Sequence, residues 1–158
     1  MHCSARLSAS SGAWYYEYVT VLAKAGVIDG MGDGTFRPAD TLTWAQAMKL
    51  LLCAHADLAD VTGPTWAKTA MDKAVELGLC DASLDGAAAI SRLDFCKAAA
   101  KLFAVTGTAE AFPDCDDADV LALTSIGVIE GFPDGTFRPD EALTRTQIAK
   151  IIYLLIRE

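Results

Sequence analysis

"GFPDGTFRPDEALTRTQ" occupies Gly131–Gln147, and "GMGDGTFRPADTLTWAQ" occupies Gly30–Gln46, 101 residues earlier. Extending the comparison to Gly26–Leu52 and Gly127–Tyr153 gives 14 identities in 27 ungapped positions. Such self-similarity marks a repeat architecture, in which one short unit recurs because it cannot bury its apolar face alone. Both stretches follow the same order. The P-D-G-T of Pro133–Thr136 is turn chemistry: proline presets its own φ, aspartate bonds to nearby backbone, and glycine accepts a strained conformation. Phe36 and Phe137 follow as apolar plugs, and Pro38 and Pro139 stiffen the exit. Thr43-x-x-Gln46 and Thr144-x-x-Gln147 are capping boxes, each opening a helix. Beyond them Leu50, Leu51 and Ala54, and likewise Ile148, Ile151, Ile152 and Leu155, recur at helical spacing and predict core-facing stripes.

A weaker copy lies between these two. Trp14 precedes Gly26 by 12 residues, and Trp66 precedes Gly78 by the same 12. "ISRLDFCKAAAKLF" (Ile90–Phe103) then parallels the two capped helices, with Ser91-x-x-Asp94 as a near capping box. Leu42 with Ala47, Ile90 with Phe95 and Leu143 with Ile148 form the staple that brackets each cap. Copy two lacks the DGTFRP phrase and is about four residues shorter there, while copy three lacks a tryptophan in its lead-in. In copy one the lead-in predicts a helix over Trp14–Ala25, with Trp14, Tyr18, Leu22 and Ala25 on one face. Gly26, Gly78 and Gly127 are placed to stop the first helix of each copy. The expected fold is all-α: three helix-loop-helix repeats at 14–60, 61–108 and 109–158, packed in a pseudo-three-fold prism. Residues 1–13 read as a disordered leader or cloning remnant.

The 158 residues are 53% hydrophobic and 22% charged, with a net charge of −8. That balance supports a core and argues against nucleic acid, which demands a basic face. Apolar runs are too short for membrane insertion, and the first residues carry no signal-peptide core, so an export signal would lie outside this chain. The five cysteines include no Cys-x-x-Cys pair and read as small buried hydrophobes, with a Cys80–Cys115 bridge as the alternative. No metal site or cofactor is expected. The loops imitate a calcium-binding hand, counting Asp29 or Glu130 as the first position, but Met31 and Phe132 stand where the third ligand is required. Catalytic signatures are absent: His55 reads as a helix-end residue, and Asp116 with Asp117 as a solvated helix start.

The residue after each cap carries the functional signal. It is Trp44 in copy one, Arg92 in copy two and Arg145 in copy three. A cation there opposes the helix dipole at a cost of about a few tenths of a kcal/mol. Twice at equivalent positions, that cost asks for compensation. Either the arginine pairs with a carboxylate on a neighbouring copy, or it joins free helix N–H groups in an anion receptor whose guanidinium fork suits a carboxylate. Trp44 is either an exposed platform for a sugar ring or packing between copies. Gly26, Gly30, Gly78, Gly127 and Gly131 would let a ligand approach backbone in grooves between copies.

The stretches "AGVIDGMGDGTFRPADTLTWAQ" and "IGVIEGFPDGTFRPDEALTRTQ" resemble the bacterial S-layer homology domain. Its signature is a G-[IV]-x-G-[YF]-x-D-G-T-F-x-P loop followed by a T-R-A-E-like helix start, usually in three tandem copies. The resemblance covers about Trp14 to Glu158 and is specific in copies one and three. It implies a three-fold prism of helices that anchors an exported protein non-covalently at the bacterial cell surface. The implied partner is a secondary cell-wall polysaccharide carrying a ketal-linked pyruvate, or peptidoglycan in some lineages. The motif arginine's role falls on Arg92 and Arg145, with the loop glycines and Met31 or Phe132 lining the groove. Trp44 departs from the motif, and so does the missing loop of copy two. The second reading is a module of the same fold used for protein–protein contact or self-assembly, without a working glycan site.

Overall fold

The structure is a computed structural model that describes residues 40–55 and 65–157. The expected helix over Trp14–Ala25, with Gly26, Gly30, Met31, Phe36 and Pro38, lies outside the described residues. All regular structure among the described residues is helical, as expected: α1 (Trp44–Ala54), α2 (Trp66–Glu76), α3 (Arg92–Leu102), α4 (Ala118–Ser125) and α5 (Arg145–Arg157).

The helix starts form as their sequences dictate. Thr43 Oγ1 accepts from Gln46 N–H, and Gln46 Oε1 accepts from Thr43 N–H at 2.9 Å. Thr144 and Gln147 make the same reciprocal pair. Ser91 accepts from Asp94 N–H, which leaves copy two with half of the box. Leu42, Ile90 and Leu143, the residues before the caps, are buried in one core with Phe95, Met48 and Ile148.

The three cap segments are joined by backbone hydrogen bonds. Trp44 and Ala45 donate to Ala88 O and Gly86 O, Arg92 and Leu93 donate to Glu141 O and Pro139 O, and Arg145 donates to Asp40 O. Leu42 N–H also reaches Leu143 O, and Ile90 N–H reaches Leu42 O, so each segment touches the other two. Between these contacts α1 packs on α2, α3 on α4, and α1 on α5. The second helix of one copy thus packs on the first helix of the next.

The stops are equally local. Gly78 has φ +75°; its N–H bonds to Val75 O, and Leu79 N–H bonds to Ala74 O. Gly127, at φ +80°, repeats the pattern with Thr124 O and Leu123 O. This is the left-handed cap that glycine permits. After α3 the same pattern falls on Ala104, at φ 52°, where a Cβ opposes the conformation.

Two substitutions check this assignment in opposite directions. Ala104→Gly should raise stability by about 0.5–1 kcal/mol, because strain relief exceeds the added chain entropy. Gly127→Ala should lower it by about 1–2 kcal/mol, although open space surrounds the new methyl. Urea unfolding of both variants reads the two signs.

Candidate functional site

Copy three's loop is the best-defined part of the site. Asp134 Oδ1 accepts from Thr136 Oγ1 at 2.6 Å and from Thr136 N–H at 3.0 Å, while Gly135 N–H bonds to Phe132 O. The loop's carboxylate is therefore committed to its own turn and to Arg138, 3.3 Å away. Phe137 plugs the loop as expected: it is fully buried, 5.6 Å from the Phe112 ring. Sequence reasoning missed what holds it there. Asp114 accepts from the N–H groups of Phe137 and Arg138, both at 2.9 Å, and fixes Arg138 at φ 60°. No local signal marks Asp114, because its partners lie more than twenty residues away.

Against this loop the structure sets Arg92, the first residue of α3. Its side chain is 6% exposed, and its Nε donates to Phe137 O at 2.9 Å. The guanidinium lies 4.8 Å from the centroids of both Phe132 and Phe137. Such cation–π contacts offset part of the lost hydration. Burial pushes the Arg92 pKa below its ordinary value; Cys96 and Glu141 oppose the shift, and Arg138 reinforces it. Glu141 forms its contact with Arg138 instead, at 3.9 Å, and Arg92 has no ion pair among the described residues. The first compensation considered for this arginine, a carboxylate on a neighbouring copy, is therefore not what the described residues provide.

The second compensation is corrected in part. The N–H groups of Arg92, Leu93 and Asp94 are already bonded to Glu141 O, Pro139 O and Ser91 Oγ. The helix start offers no free N–H cluster, because the neighbouring cap segment consumes it. What remains is the guanidinium itself, opening on a cleft of about 190 Å³ with Ile129, Glu130, Phe132, Lys150 and Ile151 among its walls. Two cations face one carboxylate there. The balance is positive in a chain that is otherwise strongly acidic.

The other expected site residues separate. Gly131 and Phe132 line the Arg92 cleft. A Cβ on Gly131 would stand 2.8 Å from Phe112 Cε1, so this glycine serves packing of the loop as well. Gly78 and Gly127 act in helix stops; Gly78 O accepts from Lys101 Nζ. Arg145 is 7% exposed at the start of α5. The loop expected to face it is outside the described residues. Trp44 is 8% exposed and belongs to the core cluster, so the exposed indole platform is not present.

Among the described residues, no group of three or more His, Cys, Asp or Glu side chains is placed to hold a metal ion. Cys80, Cys96 and Cys115 carry no disulfide, so the Cys80–Cys115 bridge is not formed. Burial pushes the Cys96 thiol up to about 12, too high for a thiolate nucleophile at neutral pH. His55 caps the end of α1 with its ring edge-on to Phe103, and Asp117 caps α4.

Two stretches of the chain, residues 8–48 and 116–149, match the S-layer homology domain family. They contain the loop and cap of copies one and three; neither includes copy two. Over 39 residues the chain is 56% identical to Outer membrane protein SlpA of Thermus thermophilus, covering 25% of this chain and 4% of that protein. Cell surface glycoprotein 1 of Acetivibrio thermocellus is 28% identical over 155 aligned residues, 78% of this chain and 7% of its own length. Exoglucanase XynX of Acetivibrio thermocellus is 22% identical over 169 aligned positions, 92% of this chain and 16% of its own length. The chain therefore spans a small part of each curated relative it matches.

The loop carboxylates make an acid-sensitive lock. Hydrogen bonds from Phe137 and Arg138 N–H hold Asp114 below its ordinary pKa, and Thr136 holds Asp134 at about 2. A depressed folded pKa stabilises the fold above the unfolded value and loses that contribution as pH falls through the folded one. Melting temperature should therefore drop between about pH 4 and about pH 2. Asp114→Asn with Asp134→Asn should lower it at neutral pH and flatten the acid limb.

Proposed function

We propose that this chain is a non-catalytic anchoring module, which holds a longer exported protein on the bacterial cell wall by binding an acidic wall polysaccharide. The S-layer homology matches and the cell-surface relatives support anchoring and point to a location at the bacterial cell surface. The observation that carries the ligand chemistry is Arg92. A guanidinium stripped of most of its water, with no ion pair among the described residues, gains more from an arriving carboxylate than a solvated one would. A ketal-linked pyruvate on a sugar supplies that carboxylate. Ile129, Pro133 and Ile151 then offer apolar contact to the ring's C–H groups. Peptidoglycan is the competing wall polymer.

In this reading the three copies pack as a pseudo-three-fold prism with grooves between neighbours. The mutual hydrogen bonding of the cap segments supports that arrangement. Arg145 would play the part of Arg92 in a further groove lined by Gly26, Gly30 and Met31. Trp44, without a charge and inside the core, leaves the groove of copy one without its carboxylate clamp. Gly78 and Gly127 contribute by shaping the loops rather than by touching ligand.

The second reading is the same fold turned to protein contact or self-assembly, favoured by Trp44 and by the shortened loop of copy two. Co-sedimentation with cell-wall sacculi, before and after extraction of the polysaccharide, separates the two. Under the anchoring reading, extraction removes binding, and Arg92→Ala weakens it by about tenfold to a hundredfold, the worth of a charged hydrogen bond. Adding Arg145→Ala should abolish it while circular dichroism stays unchanged. Undiminished binding by the double variant would defeat the arginine assignment, and equal binding to extracted sacculi would defeat the acidic ligand.

A further inference from the structure

The shortened loop of copy two opens a second cleft, unlike the first in chemistry. Backbone bonds fix the correspondence between copies. Ala45 N–H reaches Gly86 O as Leu93 N–H reaches Pro139 O, and Trp44 N–H reaches Ala88 O as Arg92 N–H reaches Glu141 O. Gly86 therefore stands for Pro139, and Leu84 stands for Phe137. Copy three fills this place with the buried Phe137 against Phe112. Copy two offers only Leu84, which stays partly exposed, and the aromatic plug is gone. A cleft of about 580 Å³ lies there, between the start of α1, α2 and residues 82–87.

Its walls combine two kinds of surface. Trp66, Met71 and Leu84 are apolar, and Lys49 Nζ lies 5.5 Å from the Trp66 ring centroid. Gln46, Lys68 and Asp72 bring donors and acceptors together, with Lys68 and Asp72 neutralising each other at 2.6 Å. Asp85 stands against Lys49, so the cleft carries no net charge. Nothing here favours an anion, in contrast to the net positive Arg92 cleft. A volume of this size takes a small organic ligand, and an indole edge beside mixed donors and acceptors suits hydroxyls that both give and accept protons.

We propose that this cleft binds an uncharged pyranose unit, stacked along Trp66 and Met71 and hydrogen-bonded at Gln46, Lys68 and Asp72. The proposal rests on the wall-glycan reading above and extends it. The chain would read a neutral sugar at one cleft and an acidic sugar at the other. Loss of the copy-two loop is then the origin of a site, and Leu84 its specificity residue.

The whole chain, labelled at methionine methyls and tryptophan indoles, tests this by NMR titration with cellobiose, mannobiose and N,N′-diacetylchitobiose. A pyruvate-ketal methyl galactoside serves as the acidic probe. At least one neutral disaccharide should shift the Met71 and Trp66 signals saturably. Leu84→Phe, which restores the plug, should weaken that response by about tenfold or more while the acidic probe still binds. Asp72→Ala, a change at an exposed position, should weaken it independently of any packing effect of the phenylalanine. The proposal is overturned if none of the three disaccharides moves these signals, or if both variants leave the shifts unchanged. Loss of the acidic response alone would instead count against Arg92 and leave this cleft standing.

Discussion

The first N–H groups of an α-helix have no acceptor within the helix, and a buried donor left unpaired costs about 1–3 kcal/mol. In this chain the capped helices solve the problem in each other's backbones. Trp44 and Ala45 are satisfied by copy two, Arg92 and Leu93 by copy three, and Arg145 by copy one. Side-chain caps take the N–H groups of Gln46, Asp94 and Gln147. Removing any one segment would strand donors on another, so the three stand together.

One consequence is the position of Arg92. Its backbone N–H is held by Glu141 O, so its side chain must leave the helix start beside copy three's loop. There it meets Phe137 O and two aromatic rings. Asp114 holds that loop from outside through the N–H groups of Phe137 and Arg138, and Asp134 holds it from within through the N–H and hydroxyl of Thr136. A buried cation needs compensation, and aromatic faces with one carbonyl supply only part of it. The cleft is where the rest can arrive. Trp44 lies in the core, beside a copy-two loop whose shortened sequence places Leu84 where copy three has Phe137.

What was legible from residues alone was local. Capping boxes, the P-D-G-T turn and the glycine stops depend on partners within a few positions, and among the described residues the structure forms them at Thr43, Thr144, Asp134, Gly78 and Gly127. The Phe137 plug was also legible, because an aromatic between a turn and a rigid exit has few other uses. Residues alone do not decide where tertiary partners intervene. Whether the helix N–H groups at Arg92 are free stays open in the sequence, because their acceptors, Glu141 and Pro139, belong to another copy. Trp44 stays open between platform and packing, because a single sequence does not tell inward from outward at the first helical position; the structure buries it. Asp114 gave no sign of its role, since an aspartate before a helix is commonplace. The missing four residues of copy two were plain, but the space they leave is visible only once Leu84 is set against Phe137.

The account turns on whether a carboxylate completes the environment of Arg92. A crystal structure of this chain with a pyruvylated disaccharide measures that directly. The account predicts the pyruvate carboxylate about 2.7–2.9 Å from the Arg92 guanidinium, in the cleft walled by Gly131 and Phe132. A disaccharide bound with its carboxylate in solvent, or seated away from Arg92 at full occupancy, would contradict it.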